Sequence, residues 1–383
     1  MTSSALRAHS APDYDLAVVG AGFAGLACAR SAALRGLSVL VLERQARAGQ
    51  VIRTTGLLVK EAAERWEVPA RLTQRIRGVR LYAPSLSHID LAAPGYYFLA
   101  TNTAALMGWL AAEARRAGAK LRYGCPFHGA SRDAGDMVLA ATGTRVRYLV
   151  GADGAQSSVA RAFGLSRNSA FLLGIEAEYE GVGGIDPDRL HCFLDSRLAP
   201  GYIGWVVPGV GGLAQVGLAA RWPHKPDLAA FERKLAPFFD WSRARRIARR
   251  AGRIPVGGRV ARFARDGVLL VGDAAGIVSP LTAGGIHTAL ESGWRAAHAI
   301  ADYLYADGPE PARAAAAAYP RFVMKRALRA VADLPLPNWL FDALLGSAAL
   351  RLVANSIYFH RRGDAALSAA TSSEEDELRR PAE

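Results

Sequence analysis

Hydrophobic and polar positions along the chain predict buried strands that alternate with helices in its first part. Residues 15–19 form an apolar run that ends at Gly20, as is typical of a buried parallel strand. Residues 24–35 are rich in alanine and predict a helix that Gly36 ends. Residues 38–42 return as a second strand. The three segments together have the length of a β-α-β unit.

The middle of the chain predicts a change of architecture. Residues 103–117 have the pattern of an amphipathic helix that ends at Gly118, with a strand near residues 120–123. A β-hairpin is expected between Asp136 and Val150. Residues 170–219 alternate between apolar and polar positions and contain turn residues, which predicts the antiparallel sheet of a second lobe.

The last third of the chain is predicted to be mainly helical. A buried strand is expected at residues 268–271, followed by a helix from about Gly285 to Leu304. Further helices follow, interrupted at Pro335 and Pro337. The tail from Ser372 is acidic and polar, which indicates disorder.

Composition indicates a globular protein of more than one lobe. The chain has 383 residues, of which 51% are hydrophobic and 21% are charged. Its formal net charge is +13. The basic excess is compatible with a base-composition bias of the genome or with attraction to an anionic surface or substrate. No zinc-finger spacing, RNA-binding signature or basic arm is present, so nucleic acid is not expected as a partner.

Cysteine use and the N-terminus favour a cytoplasmic protein. Cys28, Cys125 and Cys192 are odd in number and widely spaced, which suggests neither a disulfide framework nor a metal site. Residues 1–12 lack the apolar stretch of a signal peptide. The longest uncharged run, residues 202–220, is interrupted by glycine and proline and is expected to form strands, not a membrane helix.

The first chemical motif is VVGAGFAG at residues 18–25, which follows a predicted strand and opens a predicted helix. Gly20 permits the tight turn, Gly22 allows a pyrophosphate to reach the backbone, and Gly25 allows close packing of helix on strand. Free N–H groups and the positive end of the helix dipole would then bind phosphate. Glu43, at the end of the second strand, is expected to bind ribose hydroxyls. The same predicted site includes Ala24 and Arg44.

The third motif, at residues 268–293, predicts a flavin-binding loop. Gly272 ends a strand, and the carboxylate of Asp273 just beyond it can accept a hydrogen bond from a ribityl hydroxyl. The loop from Pro280 is rigid. Gly284, Gly285 and Ile286 begin a helix whose N–H groups suit the flavin edge on which negative charge collects during reduction.

A second motif, GADGAQSSVAR at residues 151–161, lies between these two in the chain. The three motifs in this order resemble the FAD-binding fold of aromatic hydroxylases of the p-hydroxybenzoate type. In detail they are more similar to the geranylgeranyl reductase family. The similarity lies in GDAAG at 272–276, PLT at 280–282 and GI at 285–286, and in Arg161, eight residues after Asp153. Gly201-Tyr202, Trp205 to Pro208 and the strand at residues 212–217 extend it over roughly residues 13–305.

The resemblance implies an α/β fold with a Rossmann-type FAD-binding domain, an inserted antiparallel β-sheet substrate domain and a helical C-terminus. The expected FAD-binding domain is discontinuous and comprises residues 13–75, 98–170 and 255–305. The expected substrate domain comprises 76–97 and 171–254, followed by C-terminal helices at 306–371 and a disordered tail at 372–383. Asp153 and Gly154 are implied to support the FAD pyrophosphate.

The activity that the resemblance implies is reduction of carbon–carbon double bonds in a small hydrophobic, isoprenoid-like substrate by hydride from reduced FAD. The electron donor would be NADPH, NADH or another reductant that docks transiently. A monooxygenase acting through a C4a-hydroperoxide is the main alternative. A flavin-dependent halogenase and a non-catalytic flavin-binding protein are further alternatives.

Three positions depart from the family pattern. The Cys-Gly-Gly segment that usually follows the ribose acid is replaced by residues 53–56, Arg-Thr-Thr-Gly. Thr103 stands where the family has an arginine, and the helix after the third motif carries His287. The FAD-binding motifs themselves are intact.

Catalytic residues are not defined by any motif. Tyr202 and Trp205 fit either a substrate channel or ordinary sheet core. His287 fits either a proton donor or a packing residue. Lys60 and Glu61 are the candidates that a halogenase would use, although only Trp205 and Pro208 match the halogenase signature W-x-W-x-I-P.

A possible membrane contact is the helix that carries Arg321, Lys325 and Arg329 at four-residue spacing, with Phe322, Leu328 and Val331 on its other face. Such a basic amphipathic helix fits either an anionic membrane surface or a helix that covers the core. The first alternative would place the protein at the inner face of the membrane.

Overall fold

The computed structural model of the chain describes residues 11–133 and 135–359. These residues form eighteen strands: β1 Tyr14–Val19, β2 Val39–Leu42, β3 Leu57–Val59, β4 Thr73–Ile76, β5 Gly78–Tyr82, β6 His88–Ala92, β7 Phe98–Thr101, β8 Lys120–Arg122, β9 Ala130–Asp133, β10 Asp136–Leu139, β11 Arg145–Gly151, β12 Phe171–Glu180, β13 Arg189–Phe193, β14 Gly204–Pro208, β15 Ala214–Arg221, β16 Arg245–Pro255, β17 Ala264–Arg265 and β18 Val268–Leu270.

The same residues form ten α-helices: α1 Phe23–Leu34, α2 Lys60–Arg65, α3 Thr103–Arg116, α4 Ser158–Ala162, α5 Leu228–Leu235, α6 Ile286–Tyr305, α7 Pro311–Ala318, α8 Val323–Ala332, α9 Asn338–Leu344 and α10 Ala348–Tyr358. The elements predicted from hydrophobic periodicity lie within one or two residues of these bounds. The predicted tail, residues 372–383, lies outside the described residues, as does the end of the predicted helical region after residue 359.

The first lobe is an eight-stranded sheet of Rossmann type. Its main order is β17-β18-β11-β1-β2-β8, and β1, β2, β8, β11 and β18 run parallel. The hairpin β9-β10 pairs antiparallel with β11 at one end. Parallel strands bring their carboxyl ends to one edge of a sheet, where such folds bind ligands. The α/β fold class predicted from the sequence is confirmed.

The second lobe is a seven-stranded sheet in the order β16-β12-β15-β14-β13-β5-β6. All of its pairings are antiparallel except β13 with β5. Helix α5 covers one face through Phe231, while α9 and α10 cover the other through Leu345 and Ala354. A third, three-stranded sheet has the order β3-β7-β4, and β5 and β6 of the second sheet stand between β4 and β7 in sequence.

Helices α8 to α10 add an apolar surface to the second lobe. Within residues 11–133 and 135–359, no single helix has the length and hydropathy to cross a membrane. The pair α9 and α10 meets these criteria only when taken together, and the two helices are bent by 96° relative to each other.

Close packing of α1 against α6 fixes the position of the first lobe's helices. At Gly293 of α6 a Cβ would overlap the carbonyl oxygen of Ala24 and lie 3.1 Å from the nitrogen of Cys28. Both obstacles are backbone atoms, which cannot move aside without separating the helices. Glycine at this position therefore sets the distance between α1 and α6.

We predict that Gly293→Ala lowers the free energy of unfolding by about 1–3 kcal/mol, because the added methyl group overpacks the α1–α6 contact. Gly108→Ala is the matched control, since Gly108 lies on the exposed face of α3 with no atom within 4 Å of its Cβ position. Alanine there should stabilise the helix by up to about 1 kcal/mol. Urea unfolding of the FAD-loaded protein measures the free energy of unfolding of both variants. An equal change of that free energy in Gly293→Ala and Gly108→Ala would contradict the prediction.

Candidate functional site

The glycine turn after β1 has the geometry that a dinucleotide requires. Gly20 has φ +104°, and a Cβ there would lie 2.5 Å from the carbonyl oxygen of Ala152. A Cβ on Gly25 would overlap the carbonyl oxygen of Gly20, so glycine lets α1 approach the strand. Gly22, the N-cap of α1, has no atom within 4 Å of its Cβ position and lines an open cavity, as Ala24 also does. The backbone N–H groups of this turn are therefore accessible to a pyrophosphate.

Glu43 lies directly after β2 and faces the same cavity. Its Oε2 accepts a hydrogen bond from the backbone N–H of Ala21 at 2.7 Å, and its Oε1 accepts one from that of Gln45 at 2.8 Å. These bonds fix the carboxylate beside the glycine turn, and each oxygen keeps a lone pair for a ribose hydroxyl. Arg44 is exposed at the edge of the cavity.

The loop of the second motif is built around Asp153. Its carboxylate accepts hydrogen bonds from the hydroxyls of Ser157 and Ser158, at 2.6 and 2.7 Å, and from the backbone N–H groups of Ser158 and Val159. The carboxylate thus holds the first turn of α4 in place. Gly154, with φ +84°, and Asp153 both line the cavity, where they present backbone to a ligand.

The third motif places Asp273 on the cavity wall with its carboxylate free for a ligand. Within the part of the chain that the structure describes, no group donates a hydrogen bond to this carboxylate, although the backbone oxygen of Asp273 accepts hydrogen bonds from the side chain of Asn168 and from the backbone N–H of Gly276. Burial raises the pKa of Asp273 to about 6. An enclosed acceptor without a donor is costly unless a ligand supplies one, which is the role predicted for a ribityl hydroxyl.

The loop after Asp273 leads into the N-terminus of α6. Gly284, Gly285 and Ile286 line the cavity, and Gly285 caps α6 without any side-chain hydrogen bond, which leaves N–H groups for a ligand. Pro280 is buried behind this loop and does not line the cavity. Gly25 and Gly272 are also outside the lining; Gly272 permits close packing, since a Cβ there would lie 2.9 Å from Cβ of Ala24.

One cavity of about 940 Å³ connects all three motifs. Its polar arm is formed by the glycine turn, Glu43, the Asp153 loop and Asp273. The bare turn at Gly22, the carboxylate of Asp273 and the uncapped end of α6 fit the pyrophosphate, ribityl and ring regions of FAD respectively. When bound, FAD supplies hydride chemistry at its ring. Within the described residues, no group of three or more His, Cys, Asp or Glu side chains is placed to hold a metal ion.

The second arm of the cavity is apolar and lies between the second sheet and the C-terminal helices. Its walls are aliphatic and aromatic side chains from β13, β14 and α8 to α10 and from the segments near them. The main ones are Leu81, Phe98, Leu190, Leu194, Ile203, Val207, Leu336, Phe341, Leu350, Ile357 and Tyr358. A wall of this composition favours a long hydrocarbon ligand over a polar one.

Tyr202 and Trp205 both line this cavity, as the substrate-channel hypothesis requires. The hydroxyl of Tyr202 donates to the carbonyl oxygen of Thr282 at 2.5 Å, which ties the second lobe to the flavin loop. Burial raises the pKa of Tyr202 well above its usual value. His287 lies on α6 outside the cavity lining.

The halogenase candidates do not reach the cavity. Lys60 is the first residue of α2, and its Nζ lies 3.9 Å from Oε1 of Glu64. The carboxylate of Glu61 accepts a hydrogen bond from the hydroxyl of Tyr96. Neither Lys60 nor Glu61 is among the residues that line the cavity. Thr54 and Thr55, which stand in place of the family's Cys-Gly-Gly segment, do line it.

Sequence reasoning missed two charged residues of the cavity wall, the buried Glu176 and the largely buried Arg250. Glu176 is 4% exposed and pairs with Arg250, 74 residues away in sequence. A glutamate at an alternating position of β12 and an arginine in the arginine-rich strand β16 are indistinguishable from surface residues by pattern. Only the pairing of β12 with β16 brings them together.

We predict that Asp273→Ala weakens FAD binding by about tenfold or more, because a hydrogen bond to a charged acceptor contributes roughly 1.5–3 kcal/mol. Quenching of flavin fluorescence during titration of the apoprotein measures the affinity. Asp266→Ala is the control, since Asp266 is exposed on a turn outside the cavity. Unchanged affinity of the Asp273 variant would show that its carboxylate does not contact the cofactor.

Comparison with known proteins supports this assignment. An FAD binding domain family model matches residues 13–312. Digeranylgeranylglycerophospholipid reductase 2 of Methanopyrus kandleri is 32% identical over 77% of this chain and 78% of its own length. A geranylgeranyl bacteriochlorophyll reductase-like protein of Thermoplasma acidophilum has a solved structure that superimposes with a TM-score of 0.78, with 25% identity, over 90% of this chain and 96% of that one.

A flavin-dependent brominase shares the fold, with a TM-score of 0.70 over 96% of this chain and all of its own, but only 17% identity. That likeness concerns the fold alone. The family match and the sequence relative together establish that FAD is the cofactor and that the protein is an oxidoreductase. The chain belongs to the geranylgeranyl reductase family of FAD-dependent enzymes.

Proposed function

We propose that this enzyme reduces carbon–carbon double bonds in the prenyl chains of a lipid. The observation that supports this most directly is the single cavity in which the FAD motifs open into an apolar arm. Reduction adds a hydride and a proton across the double bond. The arm would hold the hydrocarbon away from water, and its aromatic walls at Phe98, Trp205 and Phe341 would pack against the flat alkene.

We also propose that the substrate enters from a membrane. Leu334 and Val353 line the cavity and are each more than half exposed, so the apolar arm has its mouth between α8 and α10. Lys325 lies on the same wall. A cation at the mouth of an apolar channel suits a lipid whose anionic head group stays at the surface while its chains enter.

Helix α8, for which the sequence predicted an exposed basic face, does not have that orientation. The predicted basic face is wrong: Arg329 is 5% exposed, forms an ion pair with Asp333 and donates to the carbonyl oxygen of Gly201. Arg321 precedes α8, which begins at Val323. The outward face of α8 is apolar instead.

We define the apolar portal as the large hydrophobic side chains that are exposed on α8 to α10 and their connections. These are Val323, Met324, Leu328, Val331, Leu334, Trp339, Leu344, Leu352 and Val353. The exposed bases Arg321, Arg326 and Arg351 accompany it. Apolar surface with basic neighbours favours the interface of an anionic membrane. The unpaired cysteines fit the reducing, inner side.

We predict that reduced enzyme is reoxidised by a lipid with unsaturated prenyl chains in the absence of oxygen, in a stopped-flow measurement of flavin absorbance. A lipid with the same head group and saturated chains is the control, since it offers no double bond. Reoxidation that requires oxygen and leaves an oxygenated product would replace the reductase by a monooxygenase. Flavin that responds to neither would indicate a binding protein without turnover.

We predict that Met324→Gln together with Leu328→Gln lowers binding to anionic vesicles by about tenfold, because the two side chains would bury apolar surface in the bilayer interface. Leu34→Gln together with Ile247→Gln is the matched control, since both residues are exposed outside the portal. Co-sedimentation with vesicles measures binding. An equal loss in both double variants would show that the portal is not the contact.

A further inference from the structure

One buried carboxylate in the cavity wall holds two residues that are distant from each other in sequence. Glu176 of β12 is buried and lines the cavity. Its Oε2 accepts two hydrogen bonds at 2.6 Å, one from the hydroxyl of Thr55 and one from the indole N–H of Trp205. Thr55 lines the cavity from the segment before β3, and Trp205 lines it from β14 of the second lobe. The carboxylate of Glu176 therefore holds one residue from each of these two parts of the chain.

Arg250, which also lines the cavity, supplies the compensating charge. Its guanidinium pairs with Oε1 of Glu176 and donates to Oε1 of Glu178 at 2.8 Å. The side chain of Arg250 is 12% exposed, so the pair is largely removed from water. The two oxygens of Glu176 are thus used differently: Oε1 meets the cation, and Oε2 meets the two neutral donors.

The indole of Trp205 is fixed on its other side by glycine. Trp205 lies opposite Gly217 in the β14–β15 pair. A Cβ on Gly217 would lie 2.7 Å from the indole carbons, so only glycine leaves room for the ring. The ring of Tyr202 meets the indole edge-on, with centroids 6.5 Å apart. The indole of Trp205 is thus contacted on three sides, by Gly217, Tyr202 and Glu176.

We propose that Glu176 is a positioning residue of the reaction, which holds the Trp205 indole and the Thr55 segment in one geometry so that an alkene packed on the indole lies correctly for hydride transfer. The inference rests on the proposed reductase function. Displacement of a reacting group by about 1 Å can lower a rate by about a hundredfold, so the wall that locates the alkene controls turnover more than affinity.

Glu176→Gln tests this with almost no change of volume. Glutamine has one carbonyl oxygen in place of two equivalent oxygens. If that oxygen stays with Thr55 and Trp205, the amide N–H₂ points at the guanidinium of Arg250; if the amide turns over, both neutral donors lose their acceptor. Either orientation disturbs the indole. We expect kcat for prenyl-lipid reduction to fall about tenfold or more, with KM within about threefold.

Two further variants separate positioning from folding. Trp205→Phe removes the indole N–H and keeps an aromatic ring, and should lower kcat in the same direction. The double variant should be no slower than Glu176→Gln alone, because both changes act on one contact. Glu178→Gln is the matched control: it alters the other partner of Arg250 at a position outside the cavity lining, and should leave kcat within about twofold.

A spectroscopic readout does not depend on turnover. The ultraviolet resonance Raman band of the indole N–H reports hydrogen bonding, and Glu176→Gln should shift it in FAD-loaded protein. The shift should vanish when the same change is made in Trp205→Phe. A shift that persists there, or wild-type kcat in Glu176→Gln, would overturn the role of Glu176. Failure of the wild-type enzyme to reduce any prenyl lipid would instead overturn the proposed function, since the Raman comparison would still establish whether Glu176 holds the indole.

Discussion

Backbone-to-backbone packing of α1 against β1 and α6 is the constraint on which the rest of the site depends. The helix can carry its N-terminus to the cavity only because Gly25 and Gly293 remove the Cβ atoms that would hold it away from Gly20 and α6. Without that approach the N–H groups after Gly20 and the carboxylate of Asp273 would not border one space. The glycines would thus act on FAD binding through geometry, and the expected contacts with the cofactor would come from backbone groups and from the carboxylates of Glu43 and Asp273.

The second lobe uses its polar groups differently. Its channel is apolar, yet buried ion pairs lie along its walls: Glu176 with Arg250, Asp195 with Lys234, and Arg329 with Asp333. Buried pairs of this kind contribute little net stability, because removal of both charges from water offsets most of their attraction. The first two pairs join elements that are distant in sequence. Arg329 and Asp333 are only four residues apart, and it is the hydrogen bond from Arg329 to the carbonyl oxygen of Gly201 that ties α8 to the second lobe. Their contribution is to fix where the walls stand, which matters for a substrate that has few polar groups of its own to be held by.

The residues of the polar arm could be predicted from the sequence because they lie in short, local motifs. Gly20, Gly22 and Gly25 lie within one short stretch of chain, Glu43 directly follows β2, and Asp273 comes three residues after the end of β18. Pro280 marks the limit of that reasoning, since its motif is next to the cavity while its own side chain is buried behind the loop. The contacts of the apolar arm could not be predicted in the same way. Glu176, Trp205 and Arg250 meet only through the pairing of β12, β14, β15 and β16.

The orientation of α8 shows why periodicity alone assigned the wrong exposed face to this helix. A helix with one basic and one apolar stripe has two possible orientations, and the burial of hydrophobic side chains would ordinarily select the apolar stripe for the core. In this chain the carbonyl oxygen of Gly201 and the carboxylate of Asp333 bind Arg329 in the interior. Met324 and Leu328 are exposed on the outward side of the helix instead. Exposure of these apolar side chains to water is unfavourable in free energy, and contact with a lipid surface would remove that penalty. An apolar helix face beside the mouth of an apolar channel therefore agrees with the proposed lipid substrate: the lipid surface that would cover the helix would also supply the substrate.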